Sequence, residues 1–112
     1  TSGFRWSDLG SVEVWDHNQN VVEERHPALK KEAGVRCCWA RFFVLDKLML
    51  LETMDAEKKA LAKRLAKELK KHPLVLEGDH FTNGRKIAYL TLFLGTGIYR
   101  QCVRALFRKR NL

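Results

Sequence analysis

Cutting a phosphodiester by acid–base chemistry needs a proton acceptor, a proton donor and cations around the scissile phosphate. One stretch of this chain holds all three. Glu77-Gly78-Asp79-His80 precedes Arg85-Lys86 across an Asn83-Gly84 pair. Glu77, His80 and Arg85 would form the site of a small ribonuclease if two paired strands carried them. A polar hairpin accounts for the same residues, however, and the acidic Glu77 and Asp79 would repel the phosphate that such a site must hold. No nucleophile pattern of the Ser/His/Asp or Cys/His kind has a local signature. A metal would require Cys37, Cys38, His72 and His80 to converge, although adjacent cysteines seldom give two ligands to one zinc and the usual C-x-x-C spacing is absent. Gly95-Thr96-Gly97 lacks the third glycine or the lysine of a phosphate loop. The expectation is a non-enzyme with no metal and no cofactor.

Cations are the stronger signal. The chain has 21 Lys and Arg against 13 Asp and Glu, a net charge of +8. Residues 1–34 hold 4 basic and 6 acidic residues, so residues 35–112 hold 17 and 7 and carry the whole excess. Twelve of the basic residues fall on two expected helices. On the first are Lys58, Lys59, Lys63, Arg64, Lys67, Lys70 and Lys71; on the second are Arg100, Arg104, Arg108, Lys109 and Arg110. Residues three and four apart share a helix face. Lys59, Lys63, Lys67 and Lys70 therefore form one ridge, and Arg100, Arg104 and Arg108 another. Solvated, salt-bridged faces usually alternate in sign, and the arginine stripe contains no acid.

The elements expected to position these stripes make an α+β domain, with all-α as the alternative. Ser11–Asp16 alternates apolar and polar residues, Asn18-Gln19-Asn20 reads as a turn and Val21-Val22 as a return strand. Pro27–Ala33 suits a short helix stopped by Gly34. Val35–Leu45 is apolar on both faces and reads as a central strand, or as a buried helix running to Leu51. Asp55–Lys71 is the plainest helix, built of strong helix formers and ended by His72-Pro73. Leu74–Leu76 would be a short strand. Asn83-Gly84 is the preferred two-residue hairpin turn, with Arg85–Leu94 returning before a helix over Ile98–Arg110. A chain of 112 residues is expected to be one domain, with an acidic segment at 1–34 and a basic core region at 35–112.

Trp39, Phe42 and Phe43 are expected in the core, and Trp6 and Trp15 nearer to partners. The longest uncharged run, Ile87–Tyr99, has 13 residues, short of the roughly 20 needed to span a bilayer. Three cysteines, two of them adjacent, make no disulfide framework and point to an intracellular, cytoplasmic or nuclear setting. The reading that follows is a nucleic-acid-binding homodimer gripping the phosphate backbone through both basic helices, with RNA favoured over DNA. A second reading sets the basic face, with Leu92–Leu94, Ile98, Tyr99, Leu106 and Phe107, against an anionic membrane surface or an acidic partner.

Overall fold

The structure, a computed structural model, describes the backbone of residues 4–110 and the side chains of residues 4–106. Helix α1 spans Leu9–Arg25, α2 Lys30–Met49, α3 Ala56–Lys70, α4 Asn83–Leu92 and α5 Thr96–Arg110. Single 3₁₀ turns at Trp6–Asp8, Pro27–Leu29 and Pro73–Leu76 link or precede them. No strand occurs among the described residues, so the α+β expectation is overturned and the all-α alternative fits. Helix α2 lies centrally: α1, α3 and α5 all pack on it, and α4 packs on α5 and α3.

The expected central strand is instead the middle of α2. From Arg36 on, the exposed or half-exposed positions are Arg36, Trp39, Phe43 and Lys47, followed by Leu50 at the C-cap, spaced three or four apart. The residues between them, including Cys38, Phe42, Leu45 and Leu48, are fully buried. That is a 3.6-residue period, hidden because three of its solvent-facing members are apolar. Trp39 and Phe43 are thus not in the core, whereas Phe42 is. Trp15 packs partly buried against the core and Trp6 is exposed. Gly34 does not stop α2. A Cβ there would sit 3.0 Å from Leu74 Cδ2, so the glycine lets the Pro73–Leu76 turn, expected as a strand, approach the helix.

The Ser11–Val22 hairpin is likewise absent. Those residues belong to α1, and Asn18-Gln19-Asn20 continues it instead of turning. The Asn83-Gly84 hairpin fails for a definite reason. Thr82 has extended backbone, and its hydroxyl accepts a hydrogen bond from the Arg85 amide at 3.2 Å. It is an N-cap, which starts a helix where the sequence motif suggested a reversal. Among the described residues only Gly78 and Gly95 have positive φ, at 55° and 130°. The chain reverses at Gly95, between α4 and α5.

Helix α3 follows its expected span closely. The Asp55 carboxylate accepts from the Lys58 amide at 2.9 Å, and Leu61, Ala62, Leu65, Ala66 and Leu69 form its buried face. Helix α5 starts two residues earlier than expected.

These assignments separate two glycines. Gly84 is helical with only an ordinary 3.9 Å neighbour for a new Cβ, so Gly84→Ala is expected to stabilise the fold by about 0.5 kcal/mol. Gly95→Ala, at φ 130°, is expected to destabilise it by about 1–3 kcal/mol. Urea denaturation of the two variants checks both signs.

Candidate polyanion-facing surface

The ridge on α3 forms as its spacing requires. At 100° per residue, Lys59, Lys63, Lys67 and Lys70 fall within an arc of about 80°, and all four are exposed. Glu57 and Glu68 lie across the helix, about 90° or more from the arc's centre. Within α3 the ion pairs are confined to other positions: Lys58 with Asp55 at 3.8 Å, and Arg64 with Glu68 at 3.8 Å. Among the described residues none of the four ridge lysines joins an ion pair. Lys71 is exposed at the C-cap. Arg64 faces away from the ridge, towards Glu68.

The arginine stripe is used differently. Arg100 reaches the end of α2, where its guanidinium donates to the carbonyls of Met49 at 3.2 Å, Leu51 and Glu52. Arg104 donates to Met49 O at 3.2 Å and Leu51 O at 2.9 Å. The last carbonyls of a helix have no intrahelical partners, and here two side chains from α5 bond the Met49 carbonyl and those of the turn that follows. Both brace the end of α2 and the turn after it, with Arg100 half-buried and Arg104 exposed. Their partners are neutral, so their positive charge is not cancelled. The side chains of Arg108, Lys109 and Arg110 lie outside the described residues.

The ribonuclease set does not assemble. Glu77 is exposed and pairs with Lys31 at 3.2 Å, while His80 is exposed beside Trp39 and Arg36. Arg85 turns inward: its Nη2 lies 2.9 Å from Asp46 Oδ2, and its Nη1 donates to the Tyr99 hydroxyl at 3.0 Å. Tyr99 in turn donates to Asp46 Oδ1. The guanidinium also lies 4.9 Å from the Phe42 ring centroid. Burial opposes the Arg85 charge, but Asp46 and Tyr99 together outweigh it and raise the pKa. Burial, then Asp46, holds the Tyr99 phenol well above its ordinary value.

A second inward ion pair sits on the other side of α2. Arg41 donates to both oxygens of Asp16 at 2.8 Å, and its Nε faces Glu68 Oε1 at 3.5 Å. Nearby, burial followed by the Arg41 charge lowers the pKa of half-buried His72. Burial also raises the thiols, Cys37 to about 11 and Cys38 to about 12. Both therefore stay protonated near neutral pH, which suits neither nucleophile nor metal ligand. Among the described residues no His, Cys, Asp and Glu cluster could hold a metal.

The apolar surface expected beside the cations is present in part, at Phe93, Leu94 and Ile98, and is extended by Ile87 and Leu90, which the sequence did not single out. Ile87, Leu90, Phe93, Leu94 and Ile98 are between 43% and 75% exposed and gather along α4 and its corner with α5. Leu92 and Tyr99, expected on the same surface, are buried instead, and Leu106 is half-buried. The corner rests along the lysine ridge. Lys70 Nζ lies 6.0 Å from the Phe93 ring centroid, and Lys59 and Lys63 share a cleft with Thr96, Gly97 and Arg100. No helix of the described residues is long and apolar enough to cross a membrane.

Two measurements follow from this placement. Arg100→Ala combined with Arg104→Ala should lower the unfolding free energy by about 1–3 kcal/mol, because charged donors leave the Met49, Leu51 and Glu52 carbonyls; urea titration reads this. For His72, the native pKa is depressed below 6.5, so the unfolded chain takes up its proton first as the pH falls. Its contribution to stability is present above about pH 6.5 and is lost on acidification through the native pKa. Stability against pH should therefore slope less over that window in His72→Gln. Comparison of the chain with protein-family models, curated proteins and solved structures finds no match in any of the three, so what this surface binds has to be argued from its own chemistry.

Proposed function

We propose that the chain is a non-catalytic binding module for a phosphate-bearing polyanion, gripped by Lys59, Lys63, Lys67 and Lys70. One observation carries this reading. The four ammonium groups are exposed, share one arc of α3 and are uncompensated by any described acid, while their neighbours Lys58 and Arg64 are paired. Eleven residues of helix separate the first and last, so the ridge extends roughly 16 Å. Neutralised phosphates release condensed counterions, which gives a sequence-independent, salt-sensitive affinity.

The grip is narrower than two parallel stripes would make it. With Arg100 and Arg104 bonded to backbone carbonyls, direct contact falls chiefly to lysine, a point charge without the planar fork that arginine offers phosphate. Their uncancelled charges still raise the potential over the ridge. Contacts of this kind position a partner and do not read a sequence.

Lys59→Glu with Lys63→Glu tests the reading. Binding to duplex RNA, single-stranded RNA and duplex DNA, titrated in parallel with salt, should be lost to a similar degree for each. The denaturation midpoint should stay unchanged, since both side chains point away from Leu61 and Leu65. Undiminished binding by a folded double variant would reduce the ridge to a solvated helix face.

A further inference from the structure

The geometry points to an anionic lipid bilayer as the polyanion, with the α4–α5 corner dipping into the membrane interface and the α3 lysines resting on the headgroup phosphates. This rests on the polyanion reading above and names its partner. Two features of one surface carry it. The first is the uncompensated lysine ridge. The second is the apolar corner beside it, where Leu94 is 75% exposed and Phe93 55%.

The two are joined along their length. Phe93 meets the ridge at Lys70, and Thr96 and Gly97 meet it at Lys59 and Lys63. A docked partner must therefore take cations and hydrocarbon together. Nucleic acid answers the lysines but leaves five large apolar side chains without an apolar counterpart. An acidic protein surface could cover both, but protein–protein interfaces are depleted in lysine and rely on aromatic and arginine anchors. Here every ridge cation is lysine, and the exposed residues sit on a chain reversal. A leaflet of acidic phospholipid offers the complement in the right order. Its phosphates lie outermost, and its acyl boundary lies roughly 5–10 Å below. Lysine stems can run along that boundary while their ammonium groups stay at phosphate level. No helix of the described residues can cross the bilayer, so the association is peripheral.

Vesicle flotation of the purified chain tests this, with vesicles of phosphatidylcholine alone and of phosphatidylcholine containing phosphatidylserine, and with duplex RNA and polyglutamate as soluble polyanions. The expected result is flotation with the phosphatidylserine vesicles only, weakened by salt. Leu94→Asp changes a solvent-exposed residue and should keep the denaturation midpoint. It should weaken vesicle binding roughly tenfold or more and leave any binding to the soluble polyanions unchanged. Lys59→Glu with Lys63→Glu should lose vesicles and soluble polyanions alike. Binding to RNA or polyglutamate without binding to vesicles would overturn the bilayer and leave the polyanion reading standing. Binding to nothing would overturn both. Vesicle binding unchanged in Leu94→Asp would overturn insertion of the corner.

Discussion

A buried cation and a buried anion on the same helix organise this molecule. Arg41 and Asp46, five residues apart on α2, are each less than a tenth exposed. An isolated buried charge is costly enough that a protein must pair it or neutralise it. Arg41 is paired by Asp16 of α1 and Glu68 of α3. Asp46 is met by Arg85 of α4 and Tyr99 of α5. Each of the other four helices therefore supplies a polar partner to these two buried charges. Apolar contact alone would let these helices slide against one another at small cost, because hydrophobic burial is non-directional. Bidentate and three-way polar contacts do not slide.

The surface inherits its geometry from this arrangement. Asp46 draws both α4 and α5 inward through Arg85 and Tyr99, and the corner between those helices is thereby laid along α3. Glu68, which lies across α3 from the lysine face, is committed to Arg41 and Arg64. The acids of this basic chain are placed as carefully as its cations. Several bond inward or face away from the ridge, which concentrates the positive field where the corner protrudes.

Parts of this were legible in the sequence. Helix α3 and its ridge were, because propensity, capping and charge spacing all agree there. Helix α2 was legible only as the alternative to a strand, and α4 was not. Their solvent-facing positions include Trp39, Phe43, Ile87 and Leu90, so the polar half of the amphipathic pattern is missing. Binary patterning presumes that apolar residues go inside, and at a binding surface that presumption fails. The Asn83-Gly84 pair misled because the threonine before it makes a helix cap, and a cap and a turn draw on the same residue types. The inward use of Arg100 and Arg104 left no mark to read. Their partners are backbone carbonyls, which every residue possesses, so no pairing by charge reveals them.

Those two arginines also bear on when the molecule can be complete. They meet the carbonyls of Met49, Leu51 and Glu52 across 48 to 55 residues of chain. Synthesis proceeds at about 5–20 residues per second, so the end of α2 emerges several seconds before its donors exist. During that interval the carbonyls of Met49, Leu51 and Glu52 lack these side-chain donors, and Asp46 lacks Arg85 and Tyr99. Helices α1, α2 and α3 can already assemble around Arg41, Asp16 and Glu68. Arg41 can thus meet both of its partners before Arg85 and Tyr99 are made, and the lysine ridge can gain its apolar neighbour only after α4 and the turn at Gly95 have been synthesised.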